Sequence, residues 1–216
     1  MLPFLLLLAQ QYVSGGEILE ARLEAAVNEG RDVTVRLAYR IEAPDADRIA
    51  FSVLEIDGVA IEEISAFASE TSLRVEIEPR SGPKREGAIL IPKDTDAFEL
   101  RYVVRGGAEP TEDGLRVRLP CVILFLPIEE TRTGLFSSVV QLPRGLSVVD
   151  GFPSHPVAGA DGSYRWELPL VPTFVAFRAS SRAVLLTPPR IATTAVVVLL
   201  LAVGFVGIRR ARAPRP

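Results

Sequence analysis

One histidine and one cysteine bound the chemistry available to this 216-residue chain. His155 stands in the loop Phe152-Pro153-Ser154-His155-Pro156. A nucleophilic triad requires a histidine that meets a serine and a carboxylate in space. The nucleophile-elbow pattern GxSxG is absent, and a histidine between prolines reads first as an exposed loop residue. Cys121 has no second cysteine to pair with, so an intramolecular disulfide is excluded. Its neighbours Val122, Ile123 and Leu124 make it a small buried apolar side chain. A transition-metal site needs more than one His and one Cys.

Carboxylates are plentiful but carry no recognisable pattern. They gather at Asp45 and Asp47, at Glu62-Glu63, at Asp94 with Asp96 and Glu99, and at Glu129-Glu130. Asp94-Thr95-Asp96 lacks the remainder of an EF-hand loop and its closing bidentate Glu. Glycoside hydrolysis needs two carboxylates facing one bond, and the spacing singles out no such pair. Solvated loop charge is the simpler reading. Tyr164 and Trp166 share one face of a strand, with Phe174 and Phe177 close behind. Core packing is their default role; if exposed, Tyr164 and Trp166 would form a platform for a sugar or another ligand. The sequence therefore points to no catalytic residue, cofactor or metal.

The elements that would position these residues are strands. Val33, Val35, Leu37, Tyr39 and Ile41 alternate with Thr34, Arg36, Ala38 and Arg40, the period of a half-buried strand. Ile18 to Val27 alternates likewise, with Leu19, Ala21, Leu23, Ala25 and Val27 on one face. Its Ala, Leu and Glu content makes a helix the rival. Asn28-Glu29-Gly30 supplies turn chemistry, so the two segments read as a hairpin. Asp57-Gly58 predicts a second hairpin, between Ile49–Ile56 and Val59–Phe67. Further strands are expected at Leu73–Ile77, Ala88–Ile91, Phe98–Val104, Leu115–Leu119, Phe136–Leu142, Leu146–Phe152, Ser163–Leu168 and Thr173–Ala179. Cys121 to Leu126 is apolar on both faces, as a central, doubly covered strand would be. About twelve short strands with Gly and Pro punctuation predict a β-sandwich. It would be one large sandwich or two small lobes divided near residues 106–110.

The two ends assign a compartment. Ile191 to Ile208 is eighteen residues without a charge, followed by Arg209, Arg210, Arg212 and Arg215. As a helix it would reach about 27 Å, close to the apolar thickness of a bilayer. Leu2 to Ala9 is a short apolar stretch of the kind found in secretory signals, although no Lys or Arg precedes it. A first β-strand is the alternative there. Together the ends predict a signal peptide over 1–15, a β-sandwich ectodomain over 16–182, and a tether over 183–190. A transmembrane α-helix over 191–208 and a basic tail over 209–216 follow. The positive-inside rule puts the tail in the cytoplasm and the body in the periplasm or outside the cell. Removal of the hydrophobic end by a transpeptidase is the competing reading, but LPxTG is not present upstream.

The chain holds 24 Lys and Arg against 27 Asp and Glu. With four arginines in the tail, the body carries 20 basic and 27 acidic side chains, a net of −7. That balance argues against nucleic acid as a partner. Arginines number 22 and lysines 2, a bias expected of a high-GC bacterial genome.

From Arg116 onward the order of segments is similar to a known family. RVRLPCVILFLP, then FSSVVQLPRGLSVVDGFPS, then YRWELPLVPTFVAFRAS resembles the β-rich N-terminal domain of zinc aminopeptidases. The resemblance implies a sandwich fold. The HExxH helix that binds zinc in that family is absent from this sequence, which implies no peptidase activity. The expected function is that of a non-enzymatic, single-pass membrane protein whose exported β-body binds another protein. A surface-tethered carbohydrate- or ligand-binding module, and a hydrolase using Asp and Glu alone, are the alternatives.

Overall fold

The computed structural model describes residues 16–27, 32–42, 47–56, 58–79, 82–128 and 131–181. The chain divides into two units, Met1–Ser181 and Arg182–Pro216, and every described residue belongs to the first. The signal sequence, tether, membrane span and basic tail expected from the sequence lie outside the described residues. Among the described residues no helix is long and apolar enough to cross a membrane.

Alternation decides the first hairpin. β1 (Ile18–Val27) pairs antiparallel with β2 (Val33–Ile41), with Val27 opposite Val33 and Ala21 opposite Tyr39. Ala21, Leu23 and Ala25 are buried against the core, so every second side chain faces inward and the strand wins over the helical composition. One detail departs from strict alternation. A register shift between Ile18 and Glu20 buries Ile18 and leaves Leu19, expected in the core, half-buried.

The remaining strands are β3 (Arg48–Leu54), β4 (Ala60–Ala68), β5 (Thr71–Ile77), β6 (Lys84–Leu90) and β7 (Ala97–Arg105). They continue as β8 (Ala108–Thr111), β9 (Gly114–Pro120), β10 (Ile123–Leu124), β11 (Phe136–Gln141) and β12 (Ser147–Phe152). The last are β13 (Val157–Ala158), β14 (Ser163–Leu168) and β15 (Phe174–Ser180). Among the described residues eleven strands form one sheet, in the order β10-β3-β6-β5-β4-β7-β2-β1-β11-β14-β13. Four form a second, in the order β12-β15-β9-β8. The described body is thus all-β, and its two sheets share one hydrophobic core. Trp166 of the large sheet meets Phe177 of the small one with ring centroids 5.4 Å apart.

Two expectations are corrected. Asp57-Gly58 does not close a hairpin, because β3 lies between β10 and β6 while β4 lies between β5 and β7. The local hairpin is β4–β5 instead, turning at Ser69 and Glu70, with Ser69 at φ 54°. A bulge between Glu62 and Ser65, with Glu63 at φ 55°, bends β4. β4 and β5 pair only at Ala66–Leu73, Phe67–Ser72 and Ala68–Thr71, and then part. At the opening, buried Glu55 accepts a hydrogen bond from the Ile61 N–H at 2.7 Å and lies 3.8 Å from the Arg85 guanidinium. Arg85 also donates to the Ile61 carbonyl. The ion pair thereby serves backbone groups that a neighbouring strand would otherwise serve.

The second correction concerns Cys121 to Leu126, which is not a central strand. Only Ile123 and Leu124 pair, as β10 against β3 at the edge of the large sheet. Cys121 and Val122 are buried because the chain here leaves the small sheet and crosses to the large one. Two buried tyrosines of the large sheet hold the crossing: Tyr102 donates to the Pro120 carbonyl at 2.9 Å, and Tyr39 donates to the Val122 carbonyl. The Cys121 N–H donates to Thr173 O at 2.9 Å and the Phe125 N–H to Ala50 O at 2.9 Å.

Tyr102→Phe and Tyr39→Phe each strand a buried carbonyl while conserving shape. Each substitution is expected to cost about 1–3 kcal/mol in denaturant unfolding; a loss near zero for both would show that the crossing is held by packing alone. Arg85→Ala takes the guanidinium from beside a fully buried carboxylate, and is expected to cost about 3–5 kcal/mol. Glu55→Gln, which keeps an acceptor for the Ile61 N–H, should cost less in the same titration.

Candidate functional site

The small sheet has one face on the core and one face on water, and its strands sort their residues accordingly. In β9, Val117 and Leu119 point inward and Arg116 and Arg118 outward. In β15, Val175, Phe177 and Ala179 point inward, and Phe174, Ala176 and Arg178 outward. Register then sets one row across all four strands. Asp150 of β12 stands opposite Arg178, Arg178 opposite Arg116, and Arg116 opposite Glu109 of β8.

Two like charges directly opposite each other destabilise a sheet. The edge strands supply the opposing charge. Arg178 donates to Asp150 at 3.0 Å and Arg118 to Glu109 at 2.9 Å, while Arg116 holds the same Glu109 oxygen at 3.6 Å. Between these side chains lies an open hollow of about 290 Å3, lined by the three arginines, Asp150, Gly151 and Ala176. Gly151 is required by the close approach of β12 to β15. A Cβ there would fall 2.4 Å from the Phe177 Cβ and 2.5 Å from the Ala176 carbonyl oxygen. Guanidinium groups keep their proton at any ordinary pH and grip carboxylates through paired N–H donors. The three arginines give the hollow donors suited to a carboxylate or another anion.

The residues weighed from sequence lie elsewhere. Trp166 is only 3% exposed and its indole N–H donates to the Pro153 carbonyl at 2.8 Å. Tyr164 is half-buried against the core. A ligand platform built on this pair needs an open Trp166 face, which burial removes. His155 is exposed, with φ 60°. Cys121 is buried, its thiol pushed up to about 12 by desolvation, so thiolate chemistry is suppressed. Asp94 and Asp96 are exposed in a turn, whereas Glu99 points from β7 into an arginine pair. Glu62 is taken by Arg105, and Glu63 occupies the β4 bulge. Asp45, Glu129 and Glu130 lie outside the described residues. Among the described residues no three His, Cys, Asp or Glu side chains are grouped to hold a metal ion.

Comparison with solved structures places this topology. Yeast LTA4 hydrolase superposes with a TM-score of 0.51 at 12% identity, over 76% of this chain and 29% of that one. An M1 zinc metallopeptidase from Deinococcus radiodurans gives a TM-score of 0.41 at 14% identity, over 77% of this chain and 42% of that one. The resemblance read from Arg116 onward therefore holds at the level of the fold, and it reaches beyond the segments that first suggested it. The chain spans less than a third of the length of LTA4 hydrolase. No protein-family model and no curated protein matches it.

The outer face of the large sheet is charged in a different way. Arg36 donates to Glu99 at 2.7 and 3.1 Å, and Arg101 donates to the same carboxylate while stacking over Phe67 at 4.5 Å. Partial burial pushes the Glu99 carboxyl up, but hydrogen bonds from Arg36 and Arg101, with their charges, outweigh it and leave the group below the usual Glu range. A carboxyl depressed in the folded state stabilises fully above its unfolded value and loses that contribution as pH falls through the folded one. Glu99→Gln is therefore expected to lower the melting temperature at neutral pH and to change it little below the depressed value. Parallel melting curves for the two proteins down to low pH would contradict this assignment.

Proposed function

We propose that this chain is a non-enzymatic, single-pass membrane protein whose exported β-body binds another protein. The observation that carries the reading is the open arginine-lined hollow on the small sheet. Its arginines offer fixed positive charge and hydrogen-bond donors to a partner. The uncharged stretch Ile191–Ile208 and the arginines after it support an anchor with the tail inside. The apolar stretch Leu2–Ala9 supports export. The similarity to LTA4 hydrolase supports a modular role. In that protein the matching region is 29% of the chain, so this arrangement of strands serves there as one part of a larger molecule. The HExxH pattern is not in this sequence, whose single histidine is His155.

The test uses the full-length protein in its native membrane. Alkaline carbonate washing should leave it in the pellet. Protease added to intact cells stripped of their outer layers should digest the body and spare a tag on the tail. Affinity recovery after mild cross-linking should return one protein partner in near-stoichiometric amount. Release by carbonate of an uncleaved chain would remove the anchor. Measurable substrate turnover with no recovered partner would remove the binding role.

A further inference from the structure

We infer that the hollow is the docking site for an extended acidic segment of the protein partner, gripped at a carboxylate by Arg178 and Arg116 and at an apolar side chain by Phe152 and Phe174. The inference rests on the binding role proposed above and names the chemistry of the partner.

Charge complementarity is the first support. The body is acidic overall, yet the centre of this face sets Arg178 directly opposite Arg116, with Arg118 one row further on. Arg116 shares Glu109 with Arg118 and sits 3.6 Å from it, beyond a normal hydrogen bond. Its donors are therefore available to a better-placed carboxylate. Two guanidinium planes on adjacent strands suit one carboxylate approached from the open side. The net negative charge of the body disfavours a negatively charged segment over the surface as a whole, which makes a cluster of three arginines the favourable exception.

The second support is the other end of the same face. Phe152 is 54% exposed and stands opposite Ala176, while its ring lies 5.8 Å from that of Phe174. Exposed Phe152 against half-buried Phe174 is the apolar counterpart of the arginines, and aromatic side chains beside Arg are the usual anchors of protein interfaces. Phe174 and Arg178 are four residues apart on one strand, about 13 Å at about 3.3 Å per residue. An extended segment lying along β15 would present an apolar residue and a carboxylate at that same interval. Ala176 between them has too small a side chain to block it.

The probes are two dye-labelled Gly/Ser peptides, titrated against the full-length protein in detergent. One carries a leucine and, four residues on, a pair of glutamates; the other has glutamines in their place. The glutamate peptide is expected to bind at least about ten-fold tighter at low ionic strength, a preference that fades as salt is added. Arg116→Gln or Arg178→Gln should abolish the preference. Asp150→Asn removes a competing carboxylate and should strengthen binding of the glutamate peptide, a gain that misfolding does not produce. Phe152→Ser should weaken both peptides and leave their ratio intact.

Equal binding of the two peptides, or a preference unchanged in the arginine variants, overturns the inference. Inorganic phosphate that binds alone as tightly as the glutamate peptide and displaces it also overturns it, because the hollow would then be a site for small anions. If the partner recovered from membranes is still captured by Arg178→Gln, this docking site is wrong and the binding role stands. If the unaltered protein captures no partner, the role itself fails.

Discussion

Two phenolic hydroxyls tie the body together. The segment Pro120-Cys121-Val122 must leave the small sheet and reach the far edge of the large one through the middle of the core. A chain on such a path loses its strand partners, and a buried carbonyl without a donor costs about 1–3 kcal/mol. Tyr102 and Tyr39 supply the donors to Pro120 and Val122. Both rings are fully buried, which holds their hydroxyls far above the usual tyrosine range and keeps the protons on the donors. The same desolvation that quiets Cys121 thus secures the two bonds on either side of it.

From that fixed point the chemistry of the outer face follows outward. With the C-terminal end of β9 pinned, Val117 and Leu119 enter the core and the pleat turns Arg116 and Arg118 to the outer face, Arg116 exposed and Arg118 half-buried. β15 pairs with β9 from Phe174–Pro120 to Ser180–Gly114, which leaves Arg178 nowhere to stand but opposite Arg116. The repulsion this creates is met by Asp150 and Glu109, one from each edge strand. The hollow is therefore the consequence of a register that the interior sets, with charges added at the edges to make that register tolerable.

How much of this was legible beforehand depends on whether the signal was local. The β1–β2 hairpin could be read because period-two burial and turn residues lie within one stretch of chain. The outward direction of Arg116 and Arg118 follows from the same period, since they alternate with Leu115, Val117 and Leu119. Their meeting with Arg178 was not, since it depends on which strands become neighbours some sixty residues apart in sequence. Asp57-Gly58 misled because turn chemistry fixes a reversal and says nothing of the neighbour that follows. The buried Glu55–Arg85 pair, which resolves the parting of β4 from β5, has no sequence signature of its own. The apolar run at Cys121 also read falsely. Burial on both sides is shared by a central strand and by a chain crossing between layers, and only the tyrosine donors tell them apart.

The edges of the two sheets bear on where a partner can attach. A peptide can join a sheet either at an edge, by adding a strand, or across a face. Among the described residues the large sheet ends in β10 and β13, of two residues each, too short to template a further strand. The small sheet ends in β8, four residues that include Pro110, which has no N–H to offer, and in β12, whose register shifts between Val148 and Asp150. All four edges are thus poor in evenly spaced donors and acceptors. The outer face of the small sheet has the opposite character, with charge and aromatic surface at defined intervals along a regular strand. On the binding role proposed above, a body with such edges and that face open would meet its partner through side chains, with charge and apolar spacing rather than backbone pairing setting the contact.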